Sequence, residues 1–282
     1  MQIEIQLSNQ NKHAIGFSYN HALGSALMSA ISSANPLLGT ALHDGAHKNR
    51  LKLFVFSPLN SDPRPQAAKT SSGDPGLNFG NRLWIRFASI WPEVIYALSD
   101  ALMKQKNLDV CGLKPQVEDI KMVSTPTFKE TTTYRCFGQS GMIVARYQKN
   151  GSDYFQFPDS QEKDIPSCET LLAANIRHKL LRLGEIRKDI QSNYLALSNL
   201  GEEEICQLPI GIKFLPLNAA KAFRHGLFRI KALNVRAFRC PVQVTAPEIV
   251  HQIIWNCGLG GQNTQGFGLM TLGEKNDVPE TH

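Results

Sequence analysis

Long apolar runs are missing from this chain of 282 residues, and no stretch approaches the roughly 20 consecutive apolar residues that a bilayer-spanning helix needs. It opens on Met-Gln-Ile-Glu-Ile-Gln-Leu, an alternating strand pattern with neither the charged nor the apolar region of an export signal, so a cytoplasmic protein without a membrane partner is expected. Its six cysteines, at 111, 136, 168, 206, 240 and 257, form no C-x-x-C pair and no dense disulfide framework, and read as reduced core residues. Nucleotide-binding signatures are absent too. No Gly-Lys-Ser/Thr follows a glycine loop, and no G-x-G-x-x-G joins a strand to a helix. Acidic residues are the minority, 24 Asp and Glu against 30 Lys and Arg, and the resulting charge of +6 permits a polyanionic partner without requiring one. Apolar residues make up 42% of the chain, enough to fill one large core or two ordinary ones.

What is present is organised by periodicity. Ile3, Ile5 and Leu7 alternate as in a half-buried strand. Leu23, Leu27 and Ile31 repeat at helical spacing after Asn20, read as a cap, and Asn35-Pro36 opens a short second helix that delivers His43 at its end. A strand over residues 51–56, an exposed loop over 60–81, a strand over 82–87, a helix from Pro92 and a strand over 117–123 complete the order β, α, β, β, α, β. Residues 125–133 read as a joint. The second half repeats the order less clearly. Apolar segments flank residues 138–141, and Ser167 caps a helix with Leu172, Ile176, Leu180 and Leu183 inward. Strand-like runs at 205–214, 226–233 and 235–244 follow, then a Thr245/Glu248 capping box, a helix and a last strand over 269–272. The fold class is therefore α+β, two tandem ferredoxin-like domains, 1–124 and 125–282.

Three features are candidates for function. Gly258-Leu259-Gly260-Gly261-Gln262-Asn263-Thr264-Gln265-Gly266-Phe267-Gly268 reads as G-x-G-x5-G-x-G. Such a backbone either presents N–H groups to phosphates or is the end of a helix followed by a turn. Lys221, Arg224, Arg229, Lys231, Arg236 and Arg239 interleave with Phe223, Phe228 and Phe238, as in a ribbon that holds an RNA backbone and stacks bases, or in a hairpin with one solvated face. Arg177, Lys179, Arg182, Arg187 and Lys188 give the long helix a basic side, whose ordinary explanation is a solvated surface.

The Asn-Thr-Gln-Gly-Phe-Gly segment resembles the C-terminal signature of the RAMP superfamily of CRISPR-associated RNA-binding proteins, and most closely that of the Cas-six endoribonucleases. Tyr19-Asn20-His21, Asn35-Pro36, Leu42-His43-Asp44 and Lys52-Leu53-Phe54-Val55-Phe56-Ser57-Pro58-Leu59 resemble the N-terminal half of that family in order and spacing. The resemblance implies two ferredoxin-like domains and a metal-independent endoribonuclease that cuts CRISPR repeat RNA. It implies no cofactor and no metal, with 2′-OH attack leaving a 2′,3′-cyclic phosphate and a 5′-hydroxyl. It maps the catalytic histidine to His43 and a charge-stabilising lysine to Lys52, and gives Gly258, Gly260, Gly261, Gly266 and Gly268 to RNA binding. Where several members carry a tyrosine on the first helix, this chain has Met28. His47, four residues after His43, is a substitute for the missing group if the helix continues. The pair would also suit zinc, but no glutamate lies between them and no third ligand follows nearby. Beyond repeat RNA, the implied partners are other subunits of a CRISPR effector complex, with the protein a monomer or homodimer. The rival reading is a non-catalytic RAMP subunit that only holds guide RNA. A phosphate-binding metabolic enzyme is a third.

Overall fold

The alternation of Ile3, Ile5 and Leu7 does form a strand, β1 (Gln2–Ser8), and those three side chains are 0–3% exposed. In chain order there follow β2 (Ile15–Gly16), α1 (Asn20–Ala34), α2 (Pro36–His43), β3 (Phe54–Phe56), β4 (Asn60–Asp62), β5 (Gln66–Lys69) and β6 (Pro75–Asn78). Next come β7 (Arg82–Ser89), α3 (Pro92–Gln105) and β8 (Gln116–Val123). This computed structural model describes residues 1–11, 13–43, 52–138, 141–159, 164–190, 200–215, 223–230 and 233–273, with the backbone alone for 43 and 185–190. The main sheet runs β3-β7-β1-β8 and is antiparallel throughout, with Ile5 opposite both Ile85 and Ile120. Leu23, Leu27 and Ile31 of α1 and Val94, Leu98 and Leu102 of α3 cover one face of it.

The second half contains β9 (Thr131–Cys136), β10 (Ala145–Lys149), β11 (Ser152–Gln156), α4 (Cys168–Ile190), α5 (Glu202–Gln207) and β12 (Gly211–Phe214). It continues with β13 (Arg224–Ile230), β14 (Leu233–Arg239), β15 (Val242–Thr245), α6 (Glu248–Cys257), a 3-10 turn (Asn263–Gln265) and β16 (Met270–Leu272). Its four-stranded sheet runs β12-β15-β9-β16. Both sheets therefore have the spatial order second, third, first, fourth strand of a β-α-β-β-α-β unit. The chain is two ferredoxin-like folds in tandem. Leu172, Ile176, Leu180 and Leu183 of α4 join Val250, Ile253 and Ile254 of α6 over Tyr134, Val242 and Val244.

Several local expectations are corrected. Residues 60–81 are not a bare loop, since β4 pairs with β7, and β5 and β6 form a small sheet with β2. Residues 205–214 begin in a helix, α5, whose Glu204 carboxylate accepts the Gly201 N–H at 2.6 Å. Thr245 caps nothing: it ends β15, its hydroxyl meets that of Thr131 at 2.9 Å, and Pro247 precedes α6. Asn20 is the first residue of α1 and not its cap. The runs at 226–233 and 235–244 divide instead into the hairpin β13–β14 and a separate β15, because Cys240-Pro241 breaks the second. Asn35 and Ser167 do cap, accepting from the N–H groups of Leu38 and Thr170. Of the six cysteines four are buried, and Cys111 and Cys206 are exposed.

The two units are joined by more than their linker. Gln2 donates to the Trp255 carbonyl at 2.6 Å, Arg86 stacks 4.1 Å above the Phe137 ring, and Val55 and Ala88 pack with Phe137 and Leu269.

Candidate functional site

His43 is the last residue of α2, the position at which the proline-led helix was expected to deliver it. Its side chain lies outside the described residues, as does the whole of His47. Met28 faces the first core and is 7% exposed. Lys52 is half-buried, and that burial lowers its pKa from the ordinary lysine value. The residue after it is held under strain. Leu53 has φ of 49°, a left-handed conformation that costs a non-glycine residue about 1–3 kcal/mol and persists only where surroundings enforce it. Here they do. The Leu53 side chain is buried in the core of the second unit, Phe54 in that of the first, and Val55 in the seam between them. The Leu53 carbonyl accepts from the Ser89 hydroxyl at 3.0 Å. Three successive side chains are thus directed to three clusters, and the turn they enforce fixes the backbone that carries Lys52.

The glycine loop closes the same seam. Gly258 ends α6, donating to the Ile254 carbonyl. The N–H of Leu259 goes to Gly268, that of Gly261 to Val144, that of Gly266 to Asn263 and that of Gly268 to Met142, all within 2.7–3.2 Å. Gly260, at φ 76°, packs so tightly within the second unit that a Cβ there would stand 2.4 Å from the Val144 carbonyl oxygen. At Gly268 it would meet the Leu259 carbonyl at 2.1 Å. Glycine is needed at both points for backbone approach inside the protein. The edge that remains half-buried is residues 261, 262, 264 and 265, where Gln265 meets the His21 ring at 3.2 Å.

Lys179 was expected on a solvated basic side of α4. It is instead 1% exposed, and its ammonium donates to the carbonyls of Gly258 at 2.7 Å and Gly260 at 3.1 Å. Burial pushes its pKa down to about 8, against a smaller opposing effect of Cys257. Through those two carbonyl contacts the lysine acts as a peg for the first turn of the glycine loop. Sequence reading missed it, although a signal was there: with Leu172, Ile176 and Leu183 it forms the 4-3-4 spacing of one helix face. Its neighbour Arg177 donates to the Leu208 carbonyl at 3.0 Å and is likewise not wholly a surface charge.

The basic ribbon separates into two faces. Arg229 and Arg236 are exposed and lie on one face with Leu227 and Asn234. Phe228, Ile230, Leu233, Val235 and Ala237 occupy the other, against Phe267 of the glycine loop. Arg224 stands opposite Arg239 at the base, and Arg239 reaches the Gly138 carbonyl at 2.8 Å. The phenylalanines that alternate with the basic residues are thus packing groups, Phe238 being 0% exposed. Lys221 and Lys231 lie outside the described residues. Among the other histidines, His251 is a core residue, fixed by the Tyr134 hydroxyl at 2.9 Å and the Glu130 carbonyl at 3.0 Å.

These sites are carried by two ferredoxin-like units, with the glycine loop in the second and a basic hairpin beside it. Residues 14–121 match the model of CRISPR-associated protein Cas6, N-terminal, and residues 123–272 that of CRISPR associated protein Cas6, C-terminal. The chain belongs to the Cas6 family. Its fold is similar to that of a Cas6-related gene product from Pyrococcus furiosus (17% identity, TM-score 0.72, 98% of this chain and 99% of the other). It is also similar to a CRISPR associated protein Cas6 (18%, 0.66, 97% and 99%) and to a RAMP protein that binds different RNA substrates (16%, 0.68, 97% and 100%). No curated protein sequence matches it. Among the described residues no helix is long and apolar enough to cross a membrane.

Proposed function

We propose that this protein cleaves CRISPR repeat RNA into guide RNAs by general acid–base chemistry on the RNA's own 2′-hydroxyl, with no metal in the step. Attack of that oxygen on the adjacent phosphorus forms the P–O2′ bond and breaks the P–O5′ bond, leaving a 2′,3′-cyclic phosphate and a 5′-hydroxyl. His43, at the mouth of α2, takes or gives a proton, since an imidazole titrates near neutrality. Lys52 offsets the negative charge that grows on the phosphorane oxygens. The observation that carries this reading is the strained Leu53: a left-handed residue clamped by both units, directly after Lys52, is the kind of enforced geometry that functional positions have.

RNA binding is assigned to the outward face of the hairpin, Arg229 and Arg236, and to the half-buried edge of the glycine loop. The other loop glycines, and Lys179 behind them, hold that edge in place. The test is incubation of the protein with repeat RNA in EDTA, with mass spectrometry of the ends. A cyclic phosphate and a 5′-hydroxyl are expected; a 3′-hydroxyl with a 5′-phosphate, or cutting that EDTA abolishes, contradicts the mechanism. One observation favours the second reading, a non-cutting RAMP subunit: Met28 occupies the place of the family tyrosine and is buried, so the chain supplies no acid or base there. Tight binding of uncut RNA in the same assay supports that alternative.

A further inference from the structure

Between the start of α1 and the tip of the hairpin lies a pocket of about 270 Å³. Its walls come from both units: Phe17, Tyr19 and Leu77 from the first, Leu227, Phe228 and Phe267 from the second. This is smaller than the roughly 300–1,000 Å³ of sites for drug-sized molecules, and it suits one ring system. Polar groups converge on it as well. Asn20, His21 and Arg229 stand on its lining. At its mouth two large apolar side chains face water, Phe17 at 55% and Leu227 at 69% exposure.

Cations stand beside the pocket. Arg229 and Arg236 lie on the outward hairpin face next to Leu227, and α1 opens at Tyr19 without a side-chain cap, so its first N–H groups also favour an anion. An aromatic slot beside cations is the arrangement by which proteins hold an unstacked base while its phosphates stay on the rim. We infer that this interdomain pocket receives a single flipped-out base of the bound RNA, gripped between Phe17 and Leu227 with its flanking phosphates on Arg229 and Arg236. The inference rests on the proposed RNA-processing function and adds to it a place where one base is held.

The test uses a fluorescent 2′-O-methyl RNA decamer of mixed sequence, which cannot be cut, and a decamer of the same backbone without bases. The double variant Phe17→Ala/Leu227→Ala changes exposed side chains only, and its melting temperature should match the parent's. It should bind the decamer about tenfold more weakly, the worth of one lost stacking contact, and bind the base-free decamer as the parent does. Equal loss on both decamers, or no loss on either, overturns the pocket while leaving RNA processing in place. A parent that binds no RNA at all overturns the function and the pocket together.

Discussion

Lys179 shows what a single residue contributes and why a sequence conceals it. Among Arg177, Arg182, Arg187 and Lys188 it looked like one more surface cation, because composition ignores phase; its phase with Leu172, Ile176 and Leu183 places it inside. Replacing it with methionine keeps the volume but leaves two buried carbonyls without a donor, so Lys179→Met should lose roughly 2–4 kcal/mol at pH 7 in urea unfolding. The pH dependence has a definite sign. With a folded pKa of about 8 against 10.5 unfolded, the unfolded chain binds more protons above pH 8, so this group's contribution to stability rises with pH from there. A neutral amine still has protons for both carbonyls. The stability of the parent relative to Lys179→Met should therefore grow by about 1 kcal/mol between pH 7 and 9. Cys257, pushed up to about 11 by burial and coupled to Lys179, works the other way above pH 9, so the comparison is kept to pH 7–9. A pH-independent difference would contradict the assignment.

At the scale of elements, the glycine loop was visible in the sequence as a motif, but what its backbone approaches was not. Spacing alone cannot say whether a glycine approaches a phosphate or a carbonyl of its own chain; Val144 and Leu259, which answer that question, are brought there by the fold. Gly260→Ala should cost roughly 2–4 kcal/mol, from a positive φ and a contact that must give. Gly184 is the control: it lies inside α4 with nothing within 4 Å of a Cβ, so Gly184→Ala should gain about 0.5–1 kcal/mol. Chemical denaturation of the two variants checks both signs. The hairpin teaches a related lesson. Alternating Arg and Phe left open interleaved binding groups or a hairpin with one solvated face; a strand sends alternate residues to opposite faces, and Phe228 went to the packed side. The element order of the first half was legible because the 3.6- and 2-residue periods are strong in α1, α3, β1 and β7, and that of the second was less so because Cys240-Pro241 and α5 interrupt its strand-like runs. The small sheet within residues 60–81 was not, since Gln66–Lys69 and Pro75–Asn78 carry little alternation and pair with each other in the fold.

For the whole molecule, the excess of six positive charges matters through where it sits. Arg229 and Arg236 share the outward face of one hairpin, so Arg229→Gln and Arg236→Gln should each flatten the salt dependence of RNA binding by about one unit. Arg239, turned back to Gly138, should change that slope less. Titrations at several salt concentrations separate the three.

The central claim is that His43 and Lys52 cut RNA that other parts of the surface hold. Single-turnover cleavage of repeat RNA, measured with binding for His43→Ala, Lys52→Ala and His47→Ala, tests it most directly. His43→Ala should slow cleavage by roughly 10²- to 10⁴-fold, the usual worth of a positioned acid or base, with affinity within a few-fold of the parent. Lys52→Ala should slow it too, with a modest loss of affinity. Cleavage that survives His43→Ala but not His47→Ala, or a parent that binds its repeat and never cuts it, would contradict the account.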